Sequence, residues 1–276
     1  MTLSANAQQS EYWNGVAGER WARLQERIDL HMADITQAAL RFAQAQPGEN
    51  VLDIGCGCGT TSFLLSRQVR AVTGLDISKP MLKVARARSA SQKAEVEFLE
   101  GDASEYPFAP DYDLVFSRFG IMFFADPVRA FANIRTALAA NGRLVFVCWR
   151  SMAENLWASE PLAAARHLIP PQHPEESMAP GPFAFADGDR LRGILEHAGY
   201  ASITIERFDG VMHMGNVLAD AASETLSIGP LARAAAELDD EARIAICKAV
   251  EAAFAKYATP QGVFAPAACW CVRAQT

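Results

Sequence analysis

The chain has 276 residues, of which 50% are hydrophobic and 21% charged, as suits a folded chain with a sizeable core. Its 25 basic and 32 acidic side chains leave a net charge of −7 with no Lys/Arg stripe, which argues against a dedicated nucleic-acid surface. Six cysteines in a chain this long are not a disulfide framework. No run of about 18 apolar residues suggests a membrane span, and the opening "MTLSANAQQSEYWNG" lacks a basic-then-apolar leader pattern. The expectation is a cytoplasmic protein with reduced thiols.

Residues 16–46 carry one apolar face, with Trp21, Leu24, Ile28, Met32, Ile35, Ala39 and Phe42 at three- and four-residue steps, and read as a helix. Pro47 and Gly48 break it. Strands and helices then alternate. "NVLDIG" is a buried strand and "TTSFLLSRQ" a helix. "AVTGLDIS" is a second strand, and "KPMLKVARARSASQ" a helix capped by Ser78 with Pro80 in its first turn. "VEFLEGDAS" and "YDLVFSRFG" are the third and fourth strands. "DPVRAFANIRTALAANG" is a helix running to Gly142, and "RLVFVCWR" a fifth strand.

Past Arg150 the rhythm changes. "ENLWASEPLAAARHLI" is helical, and "PPQHPEESMAPGP" is a proline-rich loop or cap over the open end of the sheet, with His167 and His173 flanking Pro170 and Pro171. "DGDRLRGILEHAGY" is a helix, "ASITIERFDG" a strand, residues 216–257 mostly helical, and "VFAPAACWCVRAQ" a last strand pairing with "SITIERF". The fold predicted is α/β: a Rossmann-like, doubly wound, mostly parallel seven-stranded sheet, with N-terminal helices and a helical cap insertion. Within one domain, residues 1–46 form a helical lid, 47–150 the ligand-binding core, and 151–276 the cap and closing strands.

The chemistry concentrates at the strand ends. "VLDIGCGCGTTS" sets Asp53, Gly55, Gly57 and Gly59 between a buried strand and a helix, where glycine lets a ligand lie against the backbone. The spacing is G-x-G-x-G rather than the dinucleotide G-x-G-x-x-G, and the acid before it disfavours a pyrophosphate. Asp76 ends the second strand, where an acid can accept both hydroxyls of a ribose, and Asp102 follows the third. Cys56 and Cys58 lack the further ligands a metal or redox site needs, and read as small residues between glycines. Cys269 and Cys271 share one face of a strand and read as packing.

These stretches, with "VTGLDISKPML", "EFLEGDASEYPF" and "YDLVFSRFGIMFFADPVRAFANIRTALAANGRLVF", run in family order over roughly residues 50–147. The chain resembles a class I S-adenosylmethionine-dependent methyltransferase, in the branch holding quinone-biosynthesis C-methyltransferases and many small-molecule enzymes. The resemblance implies S-adenosylmethionine as cofactor and S-adenosylhomocysteine as product. It implies Asp53, Gly55, Gly57 and Gly59 around the methionine part, Asp76 on the ribose and Ile77 on the adenine face. It also implies Asp102 and Ala103 at the adenine edge and Ser117 near the methionine amine. "EYWNG" resembles lid segments of this branch, so Tyr12 and Trp13 are expected to close over the cofactor.

The implied reaction is in-line methyl transfer to a small, partly apolar acceptor through a C, O, N or S nucleophile, with no metal, nucleic acid or membrane partner. Phe119, Met122, Trp149, Trp157 and Phe183 are the apolar pocket candidates. Arg118 and His31 are the polar ones: Arg118 faces either a carboxylate or the substrate, and His31 is either a packed histidine or a pocket group. The residues identify no general base. Two other readings stay open, an NAD-binding Rossmann oxidoreductase and a non-catalytic relative that only binds the cofactor.

Overall fold

A computed structural model describes residues 7–171 and 179–276. The cap loop's His173 and most of its proline-rich stretch lie outside the described residues.

Residues 16–46 are not one helix but three, α2 (Val16–Arg23), α3 (Gln25–His31) and α4 (Ala33–Ala43), preceded by α1 (Ala7–Asn14). The breaks fall at Gly15, Leu24 and Met32. Backbone bonds such as Ile28 to Leu24 at 3.0 Å and Thr36 to Met32 at 2.8 Å link the successive helices, and the apolar stripe stays on the core side. Ile28, Met32, Ile35 and Ala39 are all buried in the main core.

The core alternates as the strand-end pattern requires. It comprises β1 (Asn50–Ile54), α5 (Thr60–Ser66), β2 (Ala71–Asp76), α6 (Lys79–Gln92), β3 (Val96–Glu100), β4 (Tyr112–Arg118), α7 (Pro127–Arg135) and β5 (Leu138–Trp149). Then come α8 (Leu156–Ala165), α9 (Gly188–His197), β6 (Ala201–Gly215), α10 (Leu218–Thr225), α11 (Pro230–Ala234), α12 (Asp240–Phe254), the two-residue β7 (Ala258–Thr259) and β8 (Gly262–Gln275).

The sheet order is β3-β2-β1-β4-β5-β8-β6, with β7 paired to the start of β8 as a short eighth strand. The pairs among β1 to β5 are all parallel, and β8 runs antiparallel to both β5 and β6. The order reverses beside β1, where β2 and β3 lie on one side and β4 and β5 on the other. This reversal is a topological switch point, and ligands of open α/β sheets bind outside the carboxyl ends of the strands that flank it.

Two local expectations are corrected. The helix after Asp126 stops at Arg135, and residues 138–142 already belong to β5, with Leu138 beside Tyr112. Asn141 takes a φ of 66°, which a helix cannot continue through. Ser78 sits at the N-cap of α6 but makes no capping bond; its Oγ donates instead to the Trp13 carbonyl at 2.7 Å.

Candidate active site

The crevice at the switch point continues into a cavity of about 450 Å³, within the usual range for a small-molecule site. One end is built by the glycine turn. Gly55 and Gly57 take φ of 65° and 55°, and both line the cavity. A Cβ on Gly55 would come within 2.5 Å of Gly120 Cα, and one on Gly120 within 2.6 Å of Gly55 Cα. The turns after β1 and β4 thus touch backbone to backbone, and neither tolerates a side chain. Gly120 is a residue the sequence reading missed. Its signal was a glycine directly after the β4 strand, in "SRFGIMF".

Asp76 is 6% exposed and lines the same end. Its Oδ2 accepts from the Gly57 amide at 2.7 Å and its Oδ1 from the Ser78 amide at 2.8 Å. Burial raises its pKa to about 6 against those amide bonds. Further donors, such as a diol, would favour the charged form. Ile77, Asp102 and Ala103 stand beside it on the cavity wall, with Asp102 Oδ1 accepting from the Ser104 amide at 2.9 Å.

Three residues expected at the cofactor do not line the cavity. Asp53 is fully buried behind the turn and does not line the cavity. Its Oδ2 accepts from Thr61 and Ser62 hydroxyls at 2.7 and 2.6 Å, tying β1 to the first turn of α5, and burial raises its pKa to about 6. Ser117 is buried as well, and its Oγ donates to the Ile54 carbonyl at 2.7 Å, locking β4 to β1. Gly59 leaves room for Phe98 and Phe63, whose rings would lie about 3 Å from its missing Cβ; it serves packing of α5 on the sheet. These residues hold the site's shape from outside the cavity. The strand-end pattern located them correctly but could not say which layer each occupied.

Cys56 and Cys58 do line the wall. Burial, followed by nearby carboxylates, keeps both thiols protonated, with Cys58 pushed up to about 12. Among the described residues, no His/Cys/Asp/Glu group could hold a metal ion.

The N-terminal helices close one side. Tyr12 and Trp13 line the cavity, and the Trp13 ring meets Tyr12, Trp21 and Phe123 edge-on at 5.0 to 5.9 Å. Asn14 bridges this segment to α6, donating to the Ile77 carbonyl at 2.9 Å and accepting from the Lys79 amide at 2.9 Å. α3 brings in Asp29, another cavity residue that sequence reading missed. Asp29 Oδ2 accepts from Thr60 Oγ1 at 2.6 Å and from Gln25, with Arg88 Nη2 3.5 Å away. Arg118, one of the two polar candidates, faces a carboxylate: its Nη2 is 3.9 Å from Asp29 Oδ1, and its Nη1 donates to Thr36 Oγ1 at 2.6 Å. No local pattern links Asp29 to Thr60, Arg88 and Arg118; the fold alone assembles them.

The other end of the cavity is apolar. Phe119 and Trp149 are stacked, with centroids 4.1 Å apart and 13° between planes, and Trp157 lies 5.0 Å from Trp149. Met122, Phe123 and Phe124 extend this wall. Phe119 reaches it from a backbone φ of 65°, a left-handed conformation that a bulky residue adopts only when its surroundings enforce it. Phe183 does not line the cavity. It is half-buried against the main core, and its neighbours Gly181 and Pro182 supply the wall, Gly181 held by its amide to the Met122 carbonyl at 3.1 Å. His31, the second polar candidate, is buried and lines this cavity. Burial, then His213 and Arg27, lowers its pKa to about 4.

The residues present suit an adenosyl sulfonium. Gly57 offers an open cradle, where a Cβ would meet only Met81, at 3.7 Å or more. Asp76 is a buried acid with spare acceptor capacity, and Asp29 adds negative charge nearby. Residues 51–142 match the family of methyltransferase domains. A demethylmenaquinone methyltransferase of Thermus thermophilus is 36% identical over 111 residues, which cover 39% of this chain and 50% of that protein. One from Staphylococcus aureus is 28% identical over 185 residues, covering 61% of this chain and 76% of its own. The chain thus spans half the length of the first of these relatives and about three quarters of the second. In structure, a Haemonchus contortus phosphoethanolamine N-methyltransferase solved with S-adenosylmethionine superposes with a TM-score of 0.60 at 19% identity, over 96% of this chain and 59% of that one. Residues 51–142 thus match a methyltransferase domain, and the relatives and the Rossmann-like fold support a class I S-adenosylmethionine-dependent methyltransferase.

Proposed function

We propose that the protein moves a methyl group from S-adenosylmethionine to a small, partly apolar acceptor held against the Phe119–Trp149–Trp157 wall. The observation that carries this reading is one continuous cavity joining the glycine turn and Asp76 to that wall. S-adenosylmethionine supplies an electrophilic methyl on a sulfonium. Asp76 accepts from the ribose hydroxyls while the Gly55–Gly57 backbone approaches the amino-acid part. Ile77, Asp102 and Ala103 border the adenine. Asp29 and its partner Arg118 match the ammonium and carboxylate of the methionine end by charge. Tyr12 and Trp13 cover the cofactor, and α1 to α3 exclude water from the transfer.

The aromatic wall fixes the acceptor's plane so that its nucleophile lies in line with the methyl. Much of the acceleration then comes from positioning within a closed, water-poor site. Relatives named for a demethylmenaquinone acceptor are in keeping with an apolar substrate.

Calorimetry with S-adenosylhomocysteine tests the reading, with NAD as the control. The expected result is binding of the first alone, weakened at least about 100-fold by Asp76→Ala, which removes a charged acceptor of two hydroxyls. Absence of binding, or equal affinity in the variant, contradicts it.

A further inference from the structure

The far end of the cavity is assembled from segments the cofactor motifs do not include. His31 ends α3, Met212 comes from β6, and Ser227 and Ile228 come from the turn after α10; all four line the cavity. His31 Nε2 lies 3.8 Å from Oε2 of Glu224 on α10. Glu224 is 6% exposed, and its Oε1 pairs with Arg27. Its Oε2 is buried with no hydrogen-bond partner among the described residues. A buried carboxylate oxygen lacking a donor is costly, and a protonated imidazole would supply one.

We propose, building on the methyl-transfer reading above, that the acceptor is a hydroxyl carried on a planar apolar ring, that His31 removes its proton, and that Glu224 positions the His31 ring. The stacked Phe119 and Trp149 rings, with Trp157 beside them, form flat apolar surfaces that suit a ring substrate. A neutral aryl amine or a thiolate already has its lone pair and gives a buried histidine nothing to do. A phenol, with a pKa of about 10, is neutral at physiological pH and needs a base. Arg27 on its own helix, His213 on β6 and Glu224 on α10 are the ionisable groups bearing on His31, while Arg118, Asp29 and Arg233 lie elsewhere along the wall. Burial, then His213 and Arg27, disfavours the imidazolium, so the imidazole is neutral at pH 7 and a proton it takes up is passed on quickly rather than held.

In the step, the hydroxyl proton passes to His31 as the oxygen bonds the methyl carbon. The carbon–sulfur bond breaks and its electron pair stays on sulfur. The sulfonium charge is lost as an imidazolium charge appears beside Glu224, and that proton then leaves to solvent. The products are an aryl methyl ether and S-adenosylhomocysteine, with charge conserved throughout.

The test measures methyl transfer from labelled S-adenosylmethionine to naphthol, to para-nitrophenol and to naphthylamine, in the wild type, His31→Gln and Glu224→Gln. Naphthol is un-ionised at about pH 8, whereas para-nitrophenol is largely ionised there. The expected result is that the wild type methylates both phenols and not the amine. His31→Gln should lose ~100-fold or more in kcat with naphthol, and about tenfold less than that with para-nitrophenol, which arrives without its proton. Glu224→Gln should lower kcat with naphthol and shift the acid limb of its pH profile, with KM little changed. Equal losses on both phenols, transfer to the amine alone, or no transfer to any of the three overturns the proposal. S-adenosylhomocysteine affinity is measured on the same samples. Normal affinity in the variants shows they are folded, and failure to bind in the wild type would instead contradict the methyl-transfer reading itself.

Discussion

The two ends of the cavity are built on opposite principles. The cofactor end comes mainly from consecutive strand ends of one sheet, where backbone amides, glycines and short acids sit within one contiguous stretch, with Tyr12, Trp13 and Asp29 added by the N-terminal helices. The acceptor end comes from α3, the β4 and β5 termini, α8 and the α10–α11 turn, which share no sequence neighbourhood and meet only through packing. Backbone turns shape the first end. Side chains make the second end, so it can change its substrate without disturbing the first.

The largest effects should follow from breaking the backbone contact that joins the two turns. Gly120→Val forces a Cβ to 2.6 Å from Gly55 Cα and 2.8 Å from the Ile54 carbonyl oxygen. It should abolish S-adenosylhomocysteine binding in calorimetry and lower the melting temperature. Trp149→Ala should separate the two ends. Loss of a buried aromatic costs about 3 kcal/mol or more, read in a denaturant melt. In the protein that remains folded, acceptor KM should rise while cofactor affinity changes little.

Acidity supplies a smaller lever. Burial raises Asp76 from 3.8 to about 6, so the free protein protonates it as pH falls through about 6 and loses an acceptor for the ribose. Cofactor affinity should therefore be full above about pH 7 and weaken below about 6, in a titration series by calorimetry. Asp53 is raised the same way. The folded state then binds the proton more tightly than the unfolded chain. Asp53's contribution to stability is greatest below about pH 4 and is lost as pH rises through about 6. Asp53→Asn should flatten that part of the stability profile. The smallest effect should come from Cys56→Ala with Cys58→Ala. Both thiols line the wall, but neither is ionised nor holds a metal, so affinity should stay within about threefold.

The same division explains what could be read in the sequence. The β1–β5 order, the glycine turn and Asp76 are legible because each element announces itself locally, by a buried run, a breaker and an acid at its end. The division of residues 16–46 into three helices is not, because one apolar stripe continues across Leu24 and Met32 and hides the breaks. Residues 138–142 carry no helix breaker before Asn141, so only pairing with β4 reveals them as strand. Asp53 and Ser117 bear the right residue types at the right strand ends, but depth below the cavity depends on the sheet's packing. Asp29, Gly120 and Glu224 gain their meaning from partners 31 to 193 positions away, a distance no periodicity spans.

The measurement that tests the account most directly is a crystal structure with S-adenosylhomocysteine. The account predicts the ribose on Asp76, the adenine between Ile77 and Ala103, and the thioether sulfur facing the Phe119–Trp149 wall with open space between them. A cofactor bound away from Asp76, or a sulfur turned away from that wall, would contradict it.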